Sequence, residues 1–236
     1  MDSNEIIANI KTIRNSRNLT QGDMAEALGI NRATYINIEA GRRKLALDEL
    51  EKLCDKLGVT PSDILSPSEH HKALVEEKFK QVYYYILEKH FKEHGVPKTK
   101  LAKLLYLSDF AYYYDNNTSI TGARYYKLTY GPVADLFFTM TDSLFEDGKI
   151  RINILDTAQM ISISDTNTDK KFEELSNSEK DMIDKICDFW RDKNTAEIVN
   201  FTHSQKPWKD RKDGEYIPYI SIKEEPRNNV YAPLPA

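Results

Sequence analysis

The 236-residue sequence has no run approaching the ~20 apolar residues that a membrane-spanning helix needs. Its first stretch, MDSNEIIANIKTIRNSRN, is charged where an export signal would be apolar, so no export or membrane role is expected. Cysteine is scarce. Cys54 and Cys187 lie far apart in helix-like segments and fit neither a disulfide framework nor a metal-ligand spacing, which points to a reducing cytoplasm. Positive charge is not in excess either: 33 Lys and Arg stand against 37 Asp and Glu, a net charge of −4. Non-specific attraction to nucleic acid comes from cations neutralising phosphates, so any DNA contact must use a local basic patch. Arg42, Arg43 and Lys44, with Arg32 one short helix upstream, form such a patch. The sequence also lacks internal repeats, low-complexity tracts, a Gly-rich phosphate loop, a nucleophile elbow and a cysteine–histidine pattern. What it does have is 40% hydrophobic content with 11% aromatics, enough to fill the core of one large domain or two ordinary ones.

Residues 1–66 break into five short helix signals. Ile6, Ile10, Ile13 and Arg14 set the period of the first, which ends at the polar RNSRN. Thr20, followed three positions later by Asp23, starts a second helix carrying Met24, Ala25 and Leu28, and Gly29 closes it. Asn31 caps a third, RATYINIEA, stopped by Gly41. Leu47, Leu50, Leu53, Cys54 and Leu57 give a fourth its apolar stripe. Thr60-Pro61 opens a fifth, with Thr60 as cap and Pro61 where a missing N–H costs nothing. The second and third helices with the Gly29-Ile30 turn form a helix-turn-helix, which lays its second helix in the DNA major groove.

Across nearly all of residues 5–65, around LTQGDMAEALGINRATYINIEAGRR, the sequence closely resembles the Cro/repressor-like helix-turn-helix of the XRE family. The resemblance implies that Gln21 touches phosphate and that Arg32, Ala33, Thr34 and Asn37 lie on groove-facing positions. Arg32 suits guanine, Asn37 adenine, and the Ala33 methyl thymine. Tyr35 and Ile38 face the core. Ile36 either meets a thymine methyl or is silent. Arg42, Arg43 and Lys44 follow the recognition helix where backbone phosphates would pass. The bland alternative is a helix-turn-helix that mediates only dimerisation or partner contact.

Ser66-Pro67-Ser68 is a short polar break and the expected domain join, with a second domain over 67–236. EHHKALVEEKFKQVYYYILEKHFKEHG then reads as one long helix. From Pro97, KTKLAKLLYLSDFAYYYDNN is apolar almost all round, as a covered central helix should be. Gly131-Pro132 is expected to start a helix through Phe137, Phe138, Met140 and Leu144, ending at Asp147-Gly148. Alternating runs at Ile150, Ile152 and Ile154 and at Met160, Ile161 and Ile163 predict a β-hairpin. Ser176 with Glu179, and Asn194 with Glu197, are capping boxes for two further helices. The tail from Gly214 holds prolines and short β-prone pieces, and its last residues look poorly ordered. The expected class is mainly α with minor β, a five-helix repressor-like domain followed by a helical domain with a β-hairpin.

Residues 101–135, LAKLLYLSDFAYYYDNNTSITGARYYKLTYGPVAD, resemble the signature of the Panacea (SocA-like) antitoxin domain. AEIVNFTHSQKPW resembles that family's distal motif, and the likeness covers roughly residues 72–222. The resemblance implies a domain that binds and neutralises a toxin encoded next door, while the helix-turn-helix autoregulates the operon on operator DNA as a homodimer. Its SocA side also allows a protease adaptor. A transcription regulator sensing another ligand or partner remains the rival. The residues themselves say less: Gly122 and Gly131 mark turns, and Tyr125, Tyr126 and Tyr130 suit a partly buried core or a toxin-binding interface equally.

Three constellations invite catalytic or metal readings. HFKEH, with His90, Glu93 and His94, has the inverted zinc-protease order, but it ends a Lys- and Glu-rich helix, where such residues favour the C-terminus without metal. His70-His71 is weaker still. Asp109 inside the central helix needs a partner, for which Arg124, Lys127 and His203 are candidates, and His203 stands near Trp208. Structural roles account for both without catalysis. No enzyme activity, metal or cofactor is expected.

Overall fold

The computed structural model describes residues 3–16, 19–58, 61–65, 69–164 and 172–232, and divides the chain into two compact units, Met1–Leu74 and Val75–Ala236. The expected join at Ser66-Pro67-Ser68, the Thr60 cap, the end of RNSRN, the side chains of His70 and His71, and the last four residues of the tail lie outside the described residues.

The first unit contains α1 (Ser3–Ser16), α2 (Gln21–Leu28), α3 (Arg32–Glu39), α4 (Leu47–Leu57) and α5 (Pro61–Leu65). The local signals account for the boundaries. Thr20 and Asp23 exchange side-chain and backbone hydrogen bonds in a capping box, which satisfies donors that the first turn would otherwise orphan. Gly29 closes α2 at φ +68°, a left-handed conformation cheap only for glycine, and Asn31 caps α3 through the Thr34 N–H. Ile7, Ile10, Met24, Leu28, Tyr35, Ile38, Leu50, Leu53 and Leu57 share one core. The α4 stripe starts one turn later than its sequence pattern, because Leu47 is 76% exposed.

The second unit begins within α6 (Glu69–His90), which stops five residues before Gly95 and so is shorter than the sequence pattern. Val96–Pro97 (β1) leads into α7 (Lys98–Asn116), the central helix, buried without interruption from Lys100 to Tyr112. Then come β2 (Tyr125–Leu128), β3 (Gly131–Ala134), α8 (Leu136–Glu146), β4 (Ile150–Leu155), β5 (Ala158–Ile163), α9 (Asn177–Trp190), α10 (Thr195–Ser204), α11 (Lys206–Lys209) and β6 (Tyr216–Ile217), with 3₁₀ turns at Tyr219–Glu224 and Arg227–Asn229. Both expected capping boxes form, Ser176 with Glu179 at α9 and Asn194 with Glu197 at α10. Two antiparallel three-stranded sheets flank the helices, in the orders β1-β5-β4 and β3-β2-β6. The hairpin is the expected one, turning at Asp156 (φ 55°). Around α7, α6 and α9 are tied by Lys78 to Glu179 at 2.7 Å and by the Tyr85 hydroxyl to Asp184 at 3.1 Å.

The helix expected at Gly131-Pro132 is a correction. Residues 131–134 pair with β2, Tyr125 opposite Ala134 and Leu128 opposite Gly131, and the helix starts only at Leu136, whose N–H the Asp135 side chain accepts. Proline at a helix start and proline in an edge strand look alike in sequence, since each position needs no N–H donor. Gly131 itself (φ +104°) is where the Lys103 side chain arrives: a Cβ there would stand 2.6 Å from Lys103 Cε and 3.1 Å from His203 Nε2. Gly131→Ala is therefore expected to destabilise the second unit by about 1–3 kcal/mol through overpacking alone. Urea unfolding followed by tryptophan fluorescence checks this selectively, because both tryptophans, Trp190 and Trp208, belong to this unit.

Candidate functional site

In the first unit the second helix of the helix-turn-helix presents Arg32, Ala33 and Asn37 to solvent, with Thr34 and Ile36 half-buried and Tyr35 and Ile38 in the core. What fixes this face is a buried acid that the sequence pattern did not single out. The Glu39 carboxylate, at the end of α3, accepts from Arg14 Nε at 2.8 Å and from Gln21 Nε2 at 2.9 Å, so one side chain clamps α1 and α2 to α3. Arg14 continues to the Leu19 carbonyl at 2.8 Å. Gln21 turns its other end, Oε1, toward Arg32 Nη2 at 3.5 Å. Gln21 is thus positioned by the fold at the N-terminus of α2 and stands beside the arginine with which it was grouped.

The basic run divides. Arg42 Nε donates to Asn37 Oδ1 at 3.0 Å, linking two of the expected base- and phosphate-contacting residues on the exposed face. Arg43 is committed inward, making a two-pronged pair with Glu49 at 2.7 and 3.0 Å, while Glu49 also accepts the Ala46 N–H. The Arg43 hydrogen bonds hold the Glu49 carboxyl below its ordinary range. Lys44 is exposed. Thr34 bonds its hydroxyl to Asn31 Oδ1 at 2.9 Å and so shares in the helix cap.

In the second unit the two quoted motif stretches converge. His203 and Trp208 stack face to face with ring centroids 3.8 Å apart. Trp208 Nε1 donates to the Leu128 carbonyl at 3.2 Å, and Lys127 Nζ lies 4.0 Å from the centroid of the Trp208 ring while donating to the Arg211 carbonyl at 2.8 Å. Lys103, buried in α7, donates to the Pro132 carbonyl at 2.9 Å. Burial pushes its ammonium down to about 7, and His203 is held below its usual range first by burial and then by the nearby Lys103. His203 Nε2 is buried and has no hydrogen-bond partner among the described residues.

Asp109 is deeply buried, but its partners are other than the three candidates. It accepts from the Thr121 N–H at 2.8 Å, the Thr121 hydroxyl at 2.5 Å, the Tyr125 hydroxyl at 2.9 Å and the Tyr219 hydroxyl at 3.3 Å. Neutral hydroxyls occupy the place expected for a cation: Lys127 and His203 are engaged with Trp208, and Arg124 lies near Asp135, whose carboxyl it helps to lower against a larger rise from burial. Burial raises the Asp109 carboxyl and the four hydrogen bonds oppose that rise. Of the tyrosines, Tyr125 is core, edge-on to Phe110; Tyr126 is half-buried against Tyr216; Tyr130, in the β2–β3 turn, is 73% exposed. The HFKEH histidines separate: His90 bonds Asp184 at 2.7 Å through Nε2 and Arg191 at 2.9 Å through Nδ1, whereas His94 is exposed. Among the described residues no group of three His, Cys, Asp or Glu is placed to hold a metal, and no helix is long and apolar enough to cross a membrane.

This architecture defines a class, a helix-turn-helix transcription regulator carrying a second, helical module. Residues 10–64 match the family described as Helix-turn-helix, and residues 101–209 match Antitoxin SocA-like, Panacea domain. The chain is 32% identical over 103 residues, 36% of its own length and 95% of the relative's, to the SPbeta prophage-derived uncharacterized HTH-type transcriptional regulator YonR of Bacillus subtilis. It is also 32% identical over 71 residues, 30% of this chain and 61% of the relative, to the cryptic phage CTXphi transcriptional repressor RstR of Vibrio cholerae. No solved structure matches. The chain belongs to the XRE-type helix-turn-helix regulators and bears a SocA-like Panacea antitoxin domain.

Two outcomes test the second unit's polar core. Asp109→Ala orphans three buried donors, the Thr121 N–H, the Thr121 hydroxyl and the Tyr125 hydroxyl, while the Tyr219 hydroxyl keeps the Ala123 carbonyl, and is expected to cost about 3 kcal/mol or more in urea unfolding. Lys103 gives a pH signature. Below pH 7 it is protonated in both folded and unfolded chains. Above that the folded state has released a proton that the unfolded lysine, titrating near 10.4, still holds, so stability rises with pH. The raised Cys187 thiol and buried tyrosines oppose this only from about pH 9 upward. Between pH 7 and 9 the difference in unfolding free energy between the wild-type chain and Lys103→Met should change by up to about 1.4 kcal/mol per pH unit.

Proposed function

We propose that this chain is the antitoxin and autoregulator of a toxin–antitoxin operon in the bacterial cytoplasm. The observation that carries the reading is the pairing, in one chain, of a helix-turn-helix whose α3 exposes Arg32, Ala33 and Asn37 with a module matching the SocA-like antitoxin family. The Panacea unit, residues 67–236 on the sequence reading, neutralises a toxin encoded beside it by direct contact. The helix-turn-helix unit binds a near-palindromic operator as a dimer, each α3 entering one half-site. Arg32 reads guanine and Asn37 adenine, Ala33 and Thr34 complete the base-facing row, and Gln21, Arg42 and Lys44 hold phosphates. Arg43 supports the loop through Glu49.

The mechanism is binding. The histidine, lysine and aspartate that gather in the second unit are hydrogen-bonded, stacked or sealed by neighbours, which suits a rigid recognition scaffold. Tyr130, the exposed member of the tyrosine trio, is the member available to a toxin.

Co-expression tests both halves. Cells expressing the neighbouring gene product should stop growing, and this chain should restore growth and co-purify with that product. A harmless neighbour would move the reading to a transcription regulator that senses another partner, a role closer to the names of the two phage relatives. For the operator, Arg32→Ala and Asn37→Ala should each weaken binding in a mobility-shift assay by about 1–3 kcal/mol and relax sequence preference at one base pair per half-site. Toxin neutralisation should stay intact in both variants.

A further inference from the structure

Among the described residues the β4–β5 hairpin has one unpaired strand edge. The Ser164 N–H donates to the Lys149 carbonyl at 3.0 Å, and beyond it Arg151 pairs with Ser162, Asn153 with Met160 and Leu155 with Ala158. Residues that exchange hydrogen bonds across an antiparallel pair alternate with residues that do not. The ladder phase set at Lys149 therefore turns the backbone N–H and C=O groups of Ile150, Ile152 and Ile154 away from β5. Among the described residues no strand pairs with that side of β4. The same three side chains lie on the core-facing side of the sheet, yet Ile150 is buried, Ile152 half-buried and Ile154 76% exposed. No lysine or proline stands within Ile150–Leu155 to discourage pairing, as edge strands commonly use.

We propose that β4 pairs antiparallel with β4 of a second copy of this chain, across a two-fold axis at Ile152. The register follows from the outward-facing groups and from charge. With the axis at Ile152, Ile152 faces itself, Ile150 faces Ile154 and Arg151 faces Asn153, so no two cations meet. An axis at Ile150 sets Arg151 opposite Lys149, and one at Arg151 sets it opposite itself, a like-charge pair in each case. An axis at Asn153 sets Ile150, and one at Ile154 sets Ile152, opposite Asp156, where the left-handed turn ends the ladder. The Ile152 axis covers the exposed Ile154 of each copy beside the other's Ile150 and joins two three-stranded sheets into one of six strands. An isologous seam of this kind is self-complementary by construction. It deepens the operator reading, which rests on a dimer, by giving that dimer its two-fold axis.

The test uses the full chain without DNA or toxin. Light scattering at micromolar concentration should find a dimer. Ile154→Lys alters an exposed side chain, so the circular dichroism should be unchanged while the dimer's dissociation constant rises at least tenfold. Ile152→Cys should give a disulfide-linked dimer on mild oxidation, because directly opposed, hydrogen-bonded residues have Cα atoms about 5.5 Å apart, within disulfide range. Arg151→Cys should not cross-link, and the native Cys54 and Cys187 are buried. A monomeric wild-type chain, a fully dimeric Ile154→Lys, or cross-linking at Arg151→Cys but not at Ile152→Cys overturns the proposal. So does a monomer whose β4 amides gain exchange protection only when the toxin binds. A monomer that still binds operator DNA defeats the seam and leaves the operator reading standing, whereas a dimer cross-linked through Ile152→Cys that ignores the operator does the reverse.

Discussion

The second unit depends on one buried carboxylate. Asp109 sits in the middle of a helix covered on all sides, where an unsatisfied acid would cost several kcal/mol. Its demand for donors is met by a backbone N–H and a hydroxyl from Thr121, by Tyr125 in β2, and by Tyr219 in the 3₁₀ turn that follows β6. Loop, sheet and tail are thereby brought to α7. Tyr219 passes the constraint on, since its hydroxyl also lies 2.7 Å from the Ala123 carbonyl. With β2 fixed in this way, β3 lies against α7, Pro132 receives Lys103, and Gly131 leaves the room that Lys103 and His203 take up.

The first unit uses the same device at smaller scale. Glu39 holds Arg14 and Gln21, and Glu49 holds Arg43 together with the start of α4. In each case an acid in or beside the helix-turn-helix draws one cation inward and leaves others outward. That division explains how a chain of net charge −4 can keep a local basic face: Arg32, Arg42 and Lys44 are exposed, and the nearby acids Glu39 and Glu49 are buried against their own partners. Cations left on the outer surface are the ones a phosphate backbone can reach.

What was legible in the sequence was what is decided locally. The helix start at Thr20, the capping boxes at Ser176 and Asn194, the Gly29 stop and the hairpin at residues 150–163 each depend on residues within a few positions of one another, and each formed as its pattern implied. The failures are long-range. Nothing near Asp109 in sequence announces Tyr219, 110 positions away, and the expected cations were the wrong chemistry because tyrosine hydroxyls can satisfy a buried carboxylate without bringing in a second charge to desolvate. Gly131-Pro132 misled for a related reason. Both residue types are compatible with a helix start, and only the pairing with Tyr125–Leu128 decides for a strand. Glu39 escaped notice because a glutamate at the end of a short amphipathic helix reads as a solvated residue until Arg14 and Gln21 are known to meet it.

The motif stretches show why residue types associated with chemistry need their surroundings before a role is assigned. Lys103, Asp109 and His203 are all shifted by burial in the directions that active sites exploit, and all three stand within the residues matched by the antitoxin family. Yet Lys103 is spent on the Pro132 carbonyl, Asp109 on neutral donors, and His203 on the face of Trp208. These contacts make the arrangement of β2, β3, α7 and α10 unique, since a displaced strand would leave a buried lysine and a buried carboxylate without partners. A scaffold fixed in that manner can vary its exposed turns and edges, Tyr130 and β4 among them, without losing its core, which is the property a module needs if the same fold is to meet different partners.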